Sequence, residues 1–99
     1  MIIRVQIPAH LRTLSRVVDE VLIEAPSPAT IDGLIGALED LHPVLRGTIR
    51  EHVSLRRRPW IRFFACQEDL SHEPVSTQLP DKVLSGEEPF IVLGAIAGG

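Results

Sequence analysis

The end of the sequence, Ala97-Gly98-Gly99, is the feature with the clearest chemical potential. Glycine has no Cβ, so a Gly-Gly end can thread into a narrow channel where another protein's backbone closes around it. Such an end presents the bare α-carboxylate of Gly99. A carboxylate can attack ATP to give an acyl adenylate, from which sulfide would form a thiocarboxylate and an amine would form an amide. The competing interpretation is an incidental flexible tail, since two terminal glycines occur by composition in about 0.5% of chains.

The remaining reactive side chains form no comparable pattern. Cys66 could be a nucleophile or a persulfide carrier, but its neighbours Phe63 and Phe64 favour a packed strand cysteine, and no histidine adjoins it in sequence to activate it. The four histidines lack a short metal-ligand spacing, so no metal site is expected. They are His10, His42, His52 and His72.

Six of the ten basic residues lie close together in the sequence. They are Arg46, Arg50, Arg56, Arg57, Arg58 and Arg62. The chain is acidic overall, with 13 Asp and Glu against 10 Lys and Arg, which argues against general nucleic-acid affinity. The cluster is therefore either a solvated basic edge or a surface that steers docking onto an acidic partner.

The length of 99 residues predicts one domain, too small for most self-contained enzymes, so a carrier or a binding module is favoured. A single cysteine excludes an internal disulfide and fits a reducing compartment. The longest apolar run, residues 90–99, falls short of the roughly 20 residues needed to span a bilayer. With no signal-peptide pattern, a cytoplasmic protein without membrane partners is expected.

The periodicity predicts an α+β fold. Residues 2–7 alternate as a first strand ended by Pro8, residues 9–16 are short enough for a hairpin connection, and residues 17–25 form a second strand. A helix follows with Thr30 as its N-cap and Pro43 forcing its end. Its apolar face consists of Ile31, Leu34, Ile35, Leu38 and Leu41.

The second half of the chain supplies the rest of the sheet. Leu45, Ile49 and Val53, spaced by four, indicate a short helix or turn. Residues 60–66 form a strand, residues 67–80 a loop with a short edge strand, and residues 83–84 a small β-like piece. Residues 90–96 are apolar on both faces, which predicts a central strand. One main helix would cover one face of a mixed four- to five-stranded sheet, and an apolar patch on the other face would mark a partner site.

Residues 86–99, GEEPFIVLGAIAGG, resemble the ending of the MoaD/ThiS ubiquitin-like sulfur carriers. The pattern there is Gly-Asp-Glu, a hydrophobic strand, then Pro-Ala-hydrophobic-Ala-Gly-Gly. Three further segments, residues 4–12, 30–46 and 58–69, resemble the same family in the same order. Within this family, the sequence most resembles the CysO-like carriers of cysteine biosynthesis.

The resemblance implies a β-grasp (ubiquitin-like) domain over residues 1–99 with a flexible tail at 95–99. An E1-like adenylyltransferase of the MoeB/ThiF type would adenylate Gly99, and sulfur would then replace an oxygen. The thiocarboxylate would deliver sulfur to a cysteine synthase, a thiazole synthase or the large subunit of molybdopterin synthase. The chain would be a carrier and not an enzyme, with no bound cofactor, because ATP is used by the activating partner.

The resemblance also assigns roles to residues. Ala95, Ile96, Ala97 and Gly98 would thread into the partner. The possible docking residues are Phe64, Ile91, Leu93, Arg57 and Arg58. Two departures from the family pattern are expected to matter: Cys66-Gln67, in place of an Asn-Gly turn, would reshape a hairpin, and Gly94, in place of a proline, would loosen the tail.

Three alternatives stay open at this stage. The chain could be the small, MoaD-type subunit of molybdopterin synthase. It could be a β-grasp interaction module with an incidental tail. It could also be a protein modifier joined to target lysines, and Lys82 is the only lysine of the chain itself.

Overall fold

Over residues 1–94, the part of the chain that this computed structural model describes, a five-stranded sheet is combined with three α-helices. The strands are β1 (Ile2–Gln6), β2 (Val21–Glu24), β3 (Ile61–Ala65), β4 (Glu68–Asp69) and β5 (Phe90–Gly94). The helices are α1 (Ala9–Ser15), α2 (Ile31–Leu41) and α3 (Asp81–Leu84), with a 3₁₀ turn at Pro43–Leu45. This is the predicted α+β class.

Strand β5 lies at the centre of the sheet, whose order is β2-β1-β5-β3-β4. It is parallel to β1, with Val5 opposite Phe90, and antiparallel to β3, with Phe63 opposite Val92. The pairs β1–β2 and β3–β4 are antiparallel. The prediction of a mixed sheet with the last strand at its centre is therefore confirmed.

Helix α2 covers one face of the sheet. Thr30 is its N-cap, since the Thr30 Oγ1 accepts a hydrogen bond from the Gly33 amide at 3.0 Å. The buried stripe of the helix consists of Ile31, Leu34, Ile35 and Leu38. Leu41, which was expected in that stripe, is 55% exposed. At about 100° per residue it lies at the margin of the stripe, beside the edge strand β2.

The core lies between α2 and the side of the sheet that faces it. Alternate residues of four strands point into it: Ile3, Val5, Val21, Ile23, Ile61, Phe63, Ala65, Phe90 and Val92. The rings of Phe63 and Phe90 pack with their centroids 5.5 Å apart. Each buried aliphatic side chain contributes about 1.5–3 kcal/mol, which outweighs the roughly 1 kcal/mol that Gly33 and Gly36 each cost the helix.

Strands β1 and β2 pair antiparallel, as the expected hairpin connection requires, but the connection contains the helix α1, which the sequence did not predict. Leu11 is the only residue of α1 that is buried, so the segment lacks the apolar periodicity that identifies an amphipathic helix. The strand that follows is correspondingly shorter, Val21–Glu24 instead of residues 17–25.

Two smaller expectations also need correction. Val83 and Leu84 belong to the one-turn helix α3 and not to a β-like piece; Pro80 precedes it, at a helix start, where a missing N–H costs no bond. Val53 is 95% exposed, although Leu45 and Ile49 are buried. The φ of +83° at Gly47 ends the helical course after the 3₁₀ turn, so the spacing of four is not continued.

Candidate functional site

The face of the sheet opposite α2, called here the open face, carries a row of side chains across four strands. The strand registers place Gln6, Ile91, Phe64 and Asp69 side by side from β1 to β4. Ile91 and Phe64 are half-buried, and Leu93, two residues along β5, is 45% exposed. The structure thus brings together three of the residues predicted to dock a partner.

A polar cluster centred on Glu20 flanks this face. The Arg4 guanidinium donates to both Glu20 carboxylate oxygens, at 2.9 and 2.8 Å, and the Gln6 amide donates to Oε2 at 3.0 Å. The hydrogen bond from Arg4, and then that from Gln6, lowers the pKa of Glu20. The same bond to Glu20 raises the pKa of Arg4.

Arg4 also connects this cluster to the turn that precedes β5. Its Nη1 donates to the carbonyl oxygen of Gly86 at 3.1 Å. Gly86 has a φ of +84°, a conformation that glycine adopts without steric cost. One side chain therefore links β1, the residue before β2 and the entry into the central strand.

A groove of about 410 Å³ lies beside the end of β5. Its lining includes Gln6, Pro8, Arg12, Asp19 and Leu93, together with Val18, which is 96% exposed. Because Gln6, Ile91 and Leu93 belong both to the groove and to the open face, the two form one continuous surface. This surface adjoins the point where the chain continues toward residue 95.

The last described residue, Gly94, lies close to the start of α1. A Cβ at this position would be 2.9 Å from His10 Cε1 and 3.3 Å from Pro8 Cγ, so a glycine allows the close approach. The predicted loosening of the tail concerns residues outside the described range. So do the predicted roles of Gly99 and of the threading residues Ala95, Ile96, Ala97 and Gly98, which stay predictions.

Arg57 and Arg58, the other two predicted docking residues, make intramolecular bonds. Arg57 Nη1 donates to the carbonyl oxygen of Ile61 at 2.6 Å, and Arg58 Nε donates to that of Gly47 at 3.0 Å. Arg57 also lines a small cavity with Ile31 of α2, on the opposite side of the sheet from the open face. The structure gives both side chains a stabilising role, and their docking role stays a prediction.

Arg50, a member of the basic cluster, is largely enclosed in an ion-pair network. Its side chain is 11% exposed; Nη2 lies 2.9 Å from Glu39 Oε1, and Nη1 lies 2.7 Å from Asp32 Oδ1. Burial acts to lower the pKa of Arg50, but the hydrogen bonds and charges of Glu39 and Asp32 outweigh it, so the pKa is raised. This arginine stabilises the fold and is not part of a solvated basic edge.

Cys66 and Gln67 form a two-residue loop between Ala65 and Glu68, which pair across β3 and β4. Their φ values are +52° and +66°, the signature of a type I′ turn, which Asn-Gly favours most. The hairpin is therefore not reshaped by the departure from Asn-Gly. Cys66 is half-buried against the core, at the turn and not within the strand as expected.

Residues 1–94 show neither a cluster of metal ligands nor a membrane-spanning helix. No group of three or more His, Cys, Asp and Glu side chains in this range could hold a metal ion. None of the helices described there is long and apolar enough to cross a membrane.

The Glu20 cluster was missed by sequence reasoning. Arg4 and Gln6 alternate with the buried residues of β1, which places them on the open face. Glu20, however, is 14 positions from Gln6 in the chain, and no local pattern pairs them. Only the fold of the β1–β2 connection reveals the cluster.

Three solved structures share this architecture. SAMP1 from Haloferax volcanii matches with a TM-score of 0.77 at 15% identity, over 100% of both chains. A chain of the Amycolatopsis orientalis BexX/CysO complex matches at 0.73 and 21% identity, over 97% of this chain and 98% of that one. The chain has the β-grasp fold. A further structure, of the H. volcanii small archaeal modifier protein 1, matches at 0.72 and 13% identity, over 94% and 95% of the two chains.

These structural similarities confirm the predicted fold and agree with the predicted resemblance to CysO-like proteins. No protein-family model matches the sequence, and no curated protein is significantly similar to it. One of these structural neighbours is named as a small modifier protein.

Proposed function

We propose that this chain is a sulfur carrier whose C-terminal Gly98-Gly99 carboxylate is activated and converted to a thiocarboxylate. The observation that carries the proposal is the position of β5. This strand lies at the centre of the sheet, and its outward side chains belong to the open face. The five residues that follow it in sequence end in Gly-Gly. Five residues span at most about 17 Å, a reach suited to a buried catalytic centre in a partner.

The proposed chemistry uses an E1-like adenylyltransferase of the MoeB/ThiF type. A carboxylate oxygen of Gly99 attacks the α-phosphorus of ATP, pyrophosphate leaves, and an acyl adenylate forms. Sulfide (HS⁻) then attacks the acyl carbon and displaces AMP, and loss of a proton leaves a thiocarboxylate with sulfur in place of one oxygen. The chain supplies no acid, base or bound cofactor, and ATP is used by the partner.

The open face is the proposed docking surface for these partners. Leu93 offers apolar area next to Gly94, and Ile91 with its neighbour Phe64 extends this area along the same face. The A. orientalis structure is of a complex, BexX/CysO, and a protein complex agrees with the expectation of a partner for this chain. Candidate acceptors are a cysteine synthase, a thiazole synthase or the molybdopterin synthase large subunit, for which the chain would be the small subunit.

A second candidate function is that of a protein modifier. Its support is that one of the matched structures is of a small archaeal modifier protein. The activated Gly99 would then react with a lysine amine, AMP would leave, and an amide would form. In this case high-mass conjugates would accumulate in cells and would disappear when Gly99 is deleted.

The test is co-expression with the E1-like enzymes of the same genome, followed by intact-mass analysis of the purified chain. We expect a fraction with one oxygen replaced by sulfur, and none in a variant that lacks Gly99. Lys82→Arg is the matched control, because it leaves the tail unchanged and should retain the product. If the tail is never adenylated by any of these enzymes, the proposal is wrong.

An interaction module with an incidental tail makes the opposite prediction. Removal of Gly98 and Gly99 would then leave affinity for the partner intact. A binding measurement between the E1-like enzyme and the shortened chain therefore separates a carrier from a module.

A further inference from the structure

The outer edge of the sheet is strand β2, and its free backbone groups can be assigned from the register. Met1 accepts a hydrogen bond from the Ala25 amide at 2.8 Å, and Ile3 lies opposite Ile23. Hydrogen-bonded and non-hydrogen-bonded pairs alternate along an antiparallel ladder. Val21, Ile23 and Ala25 therefore bond toward β1, whereas Leu22 and Glu24 direct their N–H and C=O groups outward.

These outward groups find no partner among residues 1–94. No hydrogen bond between described residues reaches the backbone of Leu22 or Glu24. The other edge strand, β4, has two residues and offers a shorter template. Strand β2 is thus the edge that can accept another strand.

A groove between β2 and the C-terminal end of α2 runs beside this edge. Its volume is about 400 Å³, and its lining consists of Leu22, Ile23, Glu24, Ala37, Asp40 and Leu41. Leu22 and Leu41 are exposed by 60% and 55%. Leu41, which lies outside the buried stripe of α2, thus contributes apolar surface to this groove.

The charge of the groove favours a particular occupant. Glu24 and Asp40 are its charged lining residues, and there is no basic residue in the lining. Both carboxylates are well exposed, and their ion pairs with the Met1 amine and with Arg46 are surface pairs that compete weakly with a better-placed cation. An apolar segment with flanking lysines or arginines would complement this surface.

We propose that the β2 edge binds an extended basic and apolar peptide segment of another protein by strand addition. The peptide backbone bonds to the outward groups of Leu22 and Glu24. Alternate peptide side chains then face either the groove at Ala37 and Leu41 or Leu22 on the other side. Since β1 separates β2 from β5, this site is distinct from the surface at the end of β5, and its occupancy does not depend on the tail chemistry.

The test uses the peptide acetyl-Lys-Val-Ile-Val-Ile-Val-Lys-amide and amide hydrogen exchange measured by NMR. In the free protein, the Leu22 and Glu24 amides should exchange rapidly because they face solvent. At saturating peptide their exchange should slow by roughly tenfold or more. The same peptide with glutamate in place of both lysines should bind about tenfold more weakly.

Leu22→Pro is the decisive variant, because it removes the outward N–H without touching a bond to β1. It should weaken peptide binding by about tenfold, whereas Leu22→Ala, which keeps the N–H, should stay within about threefold. Slow exchange of Ile23 in Leu22→Pro shows that the ladder to β1 is intact. Should that variant not fold, Asp40→Lys on the exposed side of α2 must weaken binding by a similar factor.

Three outcomes would overturn the proposal. Exchange at Leu22 and Glu24 could stay unchanged at saturating peptide. The perturbations could fall on β4 or at Ile91 on the open face instead. Sedimentation could also show a dimer of this chain that Leu22→Pro abolishes, in which case a second copy occupies the edge. Peptide binding should be the same with and without Gly98-Gly99, so the test is independent of the carrier proposal.

Discussion

At the scale of single residues, the β3–β4 turn shows backbone strain. Cys66 and Gln67 have φ values of +52° and +66°, a region that costs an L-residue roughly 1–2 kcal/mol. The ladder that pairs Ala65 with Glu68 and the packing of Cys66 against the core hold the loop in this form. These contacts therefore hold the turn in a left-handed conformation that neither Cys66 nor Gln67 favours on its own.

Replacing Gln67 with glycine should stabilise the protein. Gln67→Gly removes the cost of the left-handed conformation and should raise the free energy of unfolding by about 1 kcal/mol, or Tm by about 4–8 °C for a domain of this size. Thermal unfolding followed by circular dichroism measures this. The matched control is Glu68→Gly in β4, where glycine should destabilise by roughly 0.5–1 kcal/mol. A lower Tm for Gln67→Gly would contradict the assignment of the turn.

Arg50 and Glu39 make the second residue-scale contribution. Glu39 is 6% exposed and accepts hydrogen bonds from Arg50 Nε and Nη2 at 3.1 and 2.9 Å. A buried pair of this kind contributes little net stability over an apolar pair, but loss of Glu39 leaves the Arg50 guanidinium with the half-exposed Asp32 as its remaining counter-charge.

Glu39→Ala should therefore cost about 3 kcal/mol in the free energy of unfolding, as measured by urea denaturation. The neighbouring Asp40, whose side chain is 80% exposed in its pair with Arg46, supplies the control. Asp40→Ala should change stability by less than about 1 kcal/mol. Equal effects of the two substitutions would show that the Arg50 network is not buried in solution.

At the scale of elements, the Arg4–Glu20 cluster holds three pieces of chain together. Arg4 lies on β1, Glu20 directly precedes β2, and the carbonyl oxygen of Gly86 lies in the turn before β5. The hydrogen bonds from Arg4 and Gln6 lower the pKa of Glu20. A carboxyl group with a lowered pKa in the folded state stabilises that state while it is ionised.

The cluster should make stability depend on pH in a defined direction. The contribution of Glu20 is fully present above the usual glutamate pKa of about 4.3 and is lost as the pH falls through the lower, folded-state pKa. The difference in unfolding free energy between the wild type and Glu20→Gln should therefore be largest near neutral pH and shrink below about pH 4. Urea denaturation over this range measures it. In the Arg4→Met background the Glu20→Gln difference should lose most of this pH dependence, and the bond from Gln6 accounts for the remainder. An undiminished pH dependence would locate its source outside the cluster.

The elements that the sequence predicts well are those with a strong local pattern. Strand β1 alternates, α2 has a capped apolar stripe, and β5 is apolar on both faces; all three are found where expected. Helix α1 was missed because Leu11 is its only buried residue. Helix α3, with four residues, is too short for periodicity to identify. In α1 and α3 the local sequence pattern is too weak to identify a helix, because tertiary contacts determine the conformation of these segments.

At the scale of the whole molecule, the fold separates two surfaces. The open face with its adjoining groove lies beside the exit of β5, and the β2 edge lies one strand away. Phe64, Ile91 and Leu93 are three of the five docking residues predicted from sequence, and the strand registers place them on the same face of the sheet. The opposite position of Arg57 was not predictable, because its bond to Ile61 depends on the path of the loop before β3.

A charged substitution on the open face should lower the affinity for the activating partner without affecting the fold. Leu93→Lys should reduce the affinity for the E1-like enzyme by about tenfold, since an apolar contact is replaced by a charge at the centre of an interface. Calorimetric titration measures this. The control Val53→Lys adds the same charge at a residue that is 95% exposed and far from the strand registers of the open face, and it should leave affinity unchanged. Equal loss in both variants would indicate a general charge effect.

The central claim is that the carboxylate of Gly99 accepts sulfur, and intact-mass spectrometry of the chain after co-expression with the E1-like enzymes of its genome tests it most directly. The account predicts a species in which one oxygen is replaced by sulfur, located to the terminal residue by fragmentation and absent when Gly99 is deleted. If the carboxylate of Gly99 stays unchanged after co-expression with each of these enzymes, the central claim is contradicted.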